Sequence, residues 1–117
     1  MSTVSCSLLS PLLLLTLVGR FAAIGDRVIW AVNCGGDEHI DSHGVRYQRD
    51  ACTDGTASDY GRRYSFRRVP KEDEVLYQTE RYHNKNFAYH VPIPTNGDYV
   101  LVLKFAEVWF TTKNAKV

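Results

Sequence analysis

Between Cys34 and Cys52 the chain sets out thiols, imidazoles and carboxylates in the pattern Cys34-x4-His39-x3-His43-x8-Cys52, with Asp37, Glu38 and Asp41 among them. Two thiols and two imidazoles form a zinc donor set, because structural zinc takes four such ligands in a tetrahedron. The spacing is not that of a zinc finger, however, and the stretch is loop-like, so the residues favour a polar surface loop and no metal. The same cysteines could instead form a disulfide, adding about 3 kcal/mol on the chain-entropy account. Two unpaired thiols are the equal alternative, since sequence does not show geometry. There is no Cys-x-x-Cys, so a thioredoxin-like oxidoreductase has no support. Carboxylates at Asp41, Asp59, Glu80 and Glu107 raise the thought of a glycosidase, which needs two acids at a set separation. Nothing in the sequence places two of them together. Gly-x-Ser-x-Gly, His-Glu-x-x-His and a Gly-rich phosphate loop are all missing. No enzyme and no cofactor are expected.

The aromatic residues are more informative. Tyr60, Tyr64, Tyr82, Trp109 and Phe110 stand in or beside turn-like sequence. Adjacent side chains of one strand point to opposite faces, so Trp109 and Phe110 cannot both enter one core from a strand. At a strand-to-loop junction both can line a cleft. A pyranose has apolar C–H faces that stack on aromatic rings, while its hydroxyls need hydrogen bonds. Rings with a few convergent polar groups therefore suit a sugar site. The plain alternative for any one ring is that it fills the core.

The elements that must position these residues are short. Val28-Ile29-Trp30-Ala31-Val32 reads as a buried strand stopped by Asn33 and Gly35-Gly36. Val45-Arg46-Tyr47-Gln48 alternates as a short strand. Asp50 to Gly61 has the Asp, Thr, Ser and Gly of a loop. Pro70 to Glu74 can start one helical turn, with acids near its positive end, before Val75 to Tyr82 turns to strand chemistry. Phe87 to Pro94 alternates as a further strand. Asn96-Gly97 is a hairpin signal, and Tyr99 to Val108 (YVLVLKFAEV) is apolar on both faces, as a central sandwich strand would be. Thr111 to Val117 reads as a loop entering another strand. Short strands with turns between them point to an all-β fold, a β-sandwich.

Leu8 to Val18 is an apolar run too short to span a bilayer comfortably. It suits the h-region of a secretory signal peptide, and Ala23-Ile24-Gly25 offers a small-residue cleavage site, so residues 1–25 are expected to be removed. An uncleaved anchor or a buried helix is the alternative. Cleavage would take Arg20 and no acid, leaving a segment without net charge. The full chain of 117 residues carries 14 Lys+Arg against 13 Asp+Glu and is 44% hydrophobic. That is one domain at most, or part of one, and it is globular in composition. The near balance of charge argues against a nucleic-acid binder or a polybasic membrane-surface protein. Arg62-Arg63 and Arg67-Arg68 are the only basic cluster and read as solvated surface.

Four blocks, in order, resemble the malectin domain family: Val28-Ile29-Trp30-Ala31-Val32-Asn33 with Gly35-Gly36; Ala57-Ser58-Asp59-Tyr60-Gly61; Leu76-Tyr77-Gln78-Thr79-Glu80-Arg81-Tyr82; and Gly97 to Phe110. The resemblance covers residues 28–117. It implies a β-sandwich of the galactose-binding, jelly-roll-like kind. The implied function is that of a lectin of the endoplasmic reticulum lumen for glucose-α-1,3-glucose ends, as on diglucosylated high-mannose N-glycans. It implies no catalysis, no metal and no cofactor, and association with ribophorin I of the oligosaccharyltransferase complex.

The family's sugar-stacking tyrosines fall on Tyr60 and Tyr82, and its aromatic pair on Trp109 and Phe110. Trp109 departs from the usual tyrosine: stacking should survive the change, but a hydrogen bond from that hydroxyl would not. Cys34 stands where a small residue is usual, so the family does not imply a disulfide to Cys52. An acidic sugar contact, further strands, an acidic tail and a C-terminal membrane anchor are expected beyond Val117. Residues 26–117 then read as the N-terminal part of such a domain, from a truncated or alternatively spliced product or a partial gene model. The competing reading is a secreted β-sandwich interaction domain, like a receptor ectodomain, without a sugar site.

Overall fold

The structure, a computed structural model, describes residues 23–110. The expected signal peptide, residues 1–25, lies outside them apart from Ala23, Ile24 and Gly25, as does the expected loop from Thr111 to Val117. The fold class is all-β, with two small sheets, no closed barrel and no α-helix among the described residues.

The first sheet has the order β1-β3-β2, formed by β1 (Val32–Asn33), β2 (His39–Ile40) and β3 (Arg46–Arg49). β1 runs parallel to β3 with Val32 opposite Gln48, and β2 runs antiparallel with His39 opposite Tyr47. The second sheet pairs β4 (Thr56–Ser58) antiparallel with β5 (Glu80–Tyr82), setting Thr56 opposite Tyr82 and Ser58 opposite Glu80. Three 3₁₀ turns complete the fold: Ile24–Arg27, Tyr60–Arg63 and Lys71–Tyr77.

Several expectations need correction. The strand at 28–32 is confined to its end: Val28 and Ile29 are exposed, and the first ladder contact is Gln48 N–H donating to Ala31 O at 2.9 Å. The loop expected from Asp50 to Gly61 contains β4. Its residues Thr56, Ala57 and Ser58 carry no apolar alternation, and the partner strand, not the local pattern, decides its pairing. The acid-rich turn after Pro70 forms but continues to Tyr77, leaving only Glu80–Tyr82 of the expected 75–82 strand. Phe87 to Pro94 pairs with nothing among the described residues; Pro92 and Pro94 lack the N–H that a ladder needs. Asn96-Gly97 makes no hairpin. Gly97 is absent from the positive-φ glycines, and Tyr99 Oη–H instead donates back to Thr95 O at 2.7 Å.

Tyr99 to Val108, expected as a central strand, has no ladder partner among the described residues. Val100 is 90% exposed and Phe105 81%. The segment is tied down by side chains instead. Lys104 Nζ lies 3.7 Å from Asp41 Oδ2 and 4.9 Å from the centre of the Tyr47 ring.

Among the described residues only Val45 and Leu76 are buried apolar side chains, whereas Asn33, Asp41 and Asp73 are buried polar ones. Asp50 and Arg81 join them at the side-chain level, as the most enclosed ion pair among the described residues. No buried side-chain nitrogen or oxygen among the described residues lacks a partner, as burial of polar groups requires. Segments are therefore held to one another largely through carboxylates.

Candidate functional site

β5 is the platform of the site, and two glycines let other segments press against it. A Cβ on Gly61 would sit 2.8 Å from Gln78 O, so only glycine allows the Tyr60–Arg63 turn to lie against the residues leading into β5. A Cβ on Gly35 would collide with Glu80 O, and Gly35 also has φ +72°, a value that side-chain-bearing residues avoid. These two glycines supply the physical content of the Gly-Gly and Asp-Tyr-Gly motifs.

The back of β5 is anchored by Asp50. Its Oδ2 accepts from Gly35 N–H at 2.6 Å, Arg81 Nε–H at 2.7 Å and Tyr89 Oη–H at 3.0 Å, while Oδ1 accepts from Cys52 N–H at 2.9 Å. Burial pushes the carboxyl upward, but the bonds from Arg81, Gly35, Cys52 and Tyr89 outweigh it and hold it below the usual carboxylate range. Tyr89 moves the other way: burial, then hydrogen bonding to Cys34 and Asp50, raises its phenol. Side chains alternate along a strand, so with Arg81 turned inward, Glu80 and Tyr82 share the opposite face.

On that face the rings gather. Tyr60 begins the turn that follows β4, and its N–H donates to Ser58 Oγ at 3.3 Å. Trp109 lies flat on Tyr60, with ring centres 4.1 Å apart and planes 8° from parallel. The indole Nε1–H donates to Glu80 Oε1 at 2.6 Å. Tyr64 leans on Tyr60 at 5.9 Å, and the Arg63 guanidinium lies 4.8 Å from the centre of the Tyr60 ring. Hydrogen bonding to Tyr60 raises the Tyr64 phenol. Glu107 Oε1 accepts from Trp109 N–H at 2.6 Å and Phe110 N–H at 3.1 Å. Those backbone bonds lower the Glu107 carboxyl and bend the chain so that Trp109 faces Tyr60.

Of the four predicted rings, Tyr60 and Trp109 are thus in direct contact. Tyr82 stands two residues along β5 from Glu80, half exposed, and makes no ring contact with them. Phe110 is fixed through its backbone beside Trp109 and is also partly exposed. None of the four belongs to the buried core. In the sequence Tyr64 stands with these aromatics but carries no site assignment. From sequence, Glu80 and Glu107 read only as candidate catalytic acids and Arg63 only as solvated surface. The signal for Tyr64 is its i,i+4 spacing from Tyr60, and Glu107 lies two residues before Trp109, whereas nothing local marks Glu80, 29 residues away, as a partner of the indole.

The other candidate chemistries disperse. His39 Nε2 meets Asp73 Oδ1 at 3.2 Å, His43 Nδ1 meets Ser42 Oγ at 3.3 Å, and Cys52 Sγ meets Asp54 O at 3.9 Å. Cys34 and Cys52 are free thiols. Asp41 Oδ1 accepts from His43 N–H and Val45 N–H, both at 2.9 Å, and Asp59 faces Arg62 at 3.8 Å. These two acids serve turn and surface contacts and do not face each other across a cleft.

Residues 28–117 match the family described as Malectin domain. The chain is 50% identical to Malectin-A of Xenopus laevis over 119 aligned positions, covering 95% of this chain and 43% of that protein. It is 51% identical to Malectin of Homo sapiens over 98 positions, covering 82% of this chain and 34% of that protein. It therefore spans less than half the length of these relatives. No solved structure matches the chain.

Proposed function

This chain belongs to the malectin domain family, and from that premise we propose that it is a carbohydrate-binding lectin with its site on the outer face of β5. The observation that carries the reading is the gathering of Tyr60 and Trp109, from segments far apart in sequence, around Glu80 at a solvent-facing edge. Surface rings beside a carboxylate meet both demands of a pyranose, an apolar face to stack on and a hydroxyl to bind. Tyr60 and Tyr82 are the proposed stacking platforms, with Trp109 and Phe110 as the aromatic pair that completes the cleft. The finer reading is that the ligand is a glucose-α-1,3-glucose end, as on diglucosylated high-mannose N-glycans of nascent glycoproteins. Residues 1–25 would direct the chain to the endoplasmic reticulum. Association with ribophorin I and anchoring by a further C-terminal segment belong to the same proposal.

Calorimetry with nigerose and maltose, on the full chain and its Tyr60→Ala and Tyr82→Ala variants, is the test. Each loss of a stacked ring should weaken binding by on the order of 1 kcal/mol while the melting temperature holds. A buried aromatic behaves differently, costing roughly 3–5 kcal/mol of stability on truncation to Ala. Variants that melt early while the folded remainder binds disaccharide unchanged would overturn the site. A second reading, a secreted interaction domain without a sugar site, is favoured by one observation: the exposed apolar run Val100 to Leu103 with Phe105. Failure of the full chain to bind any glucose disaccharide, with self-association or protein binding abolished by Leu101→Asp, would favour that reading.

A further inference from the structure

Tyr60 is the centre of the proposed site, and this chain's own groups already surround its ring. The Trp109 indole overlies it at 4.1 Å, nearly parallel. Two acids hold it there: Glu80 accepts its Nε1–H, and Glu107 accepts the N–H of both Trp109 and Phe110. Both contacts from Trp109 are 2.6 Å, short enough to be charge-assisted. A phenol at position 109 would cover less of Tyr60 and would have no indole N–H to give Glu80. A pyranose stacking on that face of Tyr60 needs the surface the indole occupies.

We infer that Trp109 is a self-docked occupant of the Tyr60 ring, latched by Glu80 and Glu107, and that a sugar reaches that face only by displacing the indole to the rim of the cleft beside Phe110; the inference rests on the sugar-binding reading above. Glu80 and Glu107 are then positioning residues, acting through where Trp109 sits. Displacement lowers the apparent affinity by the fraction of molecules that are open. Releasing the latch should therefore tighten binding by roughly two- to tenfold, the factor that one aromatic stack carries.

The experiment uses the full chain carrying Trp30→Phe, which leaves Trp109 as the only tryptophan. Acrylamide quenching of Trp109 fluorescence and calorimetric binding of nigerose and maltose are measured with and without Glu107→Ala. Trp109→Tyr, which keeps a ring but loses the donor to Glu80, is titrated by calorimetry as the second variant. The expected result is that sugar raises the quenching of Trp109 in the parent, Glu107→Ala raises it without sugar, and both variants bind more tightly. Parent binding that is unchanged or weakened in both variants would overturn the latch and leave the lectin reading standing. If neither parent nor variants bind disaccharide, the lectin reading fails and the competitor role of Trp109 fails with it. Binding seen only in the variants supports the latch.

Discussion

Replacing Asp50 by Asn should come close to unfolding this part of the chain. The perturbation is small in volume, but Oδ2 alone accepts three donors, from Gly35, Arg81 and Tyr89. An amide keeps one acceptor oxygen and presents an NH₂ to groups that are themselves donors. The larger effect is on Arg81, whose side chain is 8% exposed while that of Asp50 is 2% exposed. Without the carboxylate, a guanidinium is left enclosed with no counter-charge, and breaking such a pair costs roughly 3–5 kcal/mol. A globular chain has roughly 5–15 kcal/mol in all, so the loss is a large part of the total. In a domain of this size it corresponds to a fall in Tm of more than roughly 10 °C. Urea and thermal melts of Asp50→Asn, Arg81→Gln and the double variant provide the assay. The double variant should be less damaged than the sum of the singles, because removing both charges leaves none stranded. If Asp50→Asn costs less than about 1 kcal/mol, or the two losses simply add, the pair is not the anchor described above.

Two further outcomes follow from the same geometry. Gly35→Ala combines a positive φ with a Cβ aimed at Glu80 O, so it should lower the urea midpoint by the equivalent of about 1–3 kcal/mol; an unchanged midpoint would mean the loop can move off β5. Asp50 and Asp73 are both held below the usual carboxylate value, Asp73 chiefly through the Ser42 hydroxyl and then His39. Groups with lowered folded pKa stabilise the fold above the unfolded value, so stability should fall as pH drops below about 4 and on through the lowered values. Asp73→Asn should flatten that acid limb in pH-dependent urea melts, and a variant curve parallel to the parent's would contradict the assignment.

How much of this was legible in the sequence depended on whether a feature was local. The all-β class, the short strand expected at Val45 to Gln48 and found at Arg46–Arg49, and the turn after Pro70 are written in neighbouring residues. β4 was not, because Thr56-Ala57-Ser58 has no apolar pattern and acquires strand geometry only against β5. The opposite error fell on Tyr99 to Val108, where β-rich composition predicts a strand but a strand also needs a partner. There the side chains of Lys104 and Glu107 place the segment instead. In the site, the aromatic positions could be named from turn context and family resemblance. Their contacts could not, since the bond between Trp109 and Glu80 joins residues 29 apart.

These contacts make one mechanical unit of anchor and site. Arg81 lies between Glu80 and Tyr82 on a strand only three residues long. Its side chain turns inward to Asp50, and strand alternation then commits Glu80 and Tyr82 to the outer face. Asp50 also takes the Gly35 N–H, and the Gly35 backbone in turn lies beneath the Glu80 carbonyl, so the anchor fixes β5 from two directions. With so few buried apolar residues here, no broad core could hold the strand if the carboxylate were lost. Glu80 would then lose its place under the indole, and Trp109 its place on Tyr60. The position of the outer rings is thus set by a charge on the inner face. Substitutions at Asp50 and Arg81 should affect the site through stability and strand placement, whereas substitutions at Tyr60 and Tyr82 should affect binding alone.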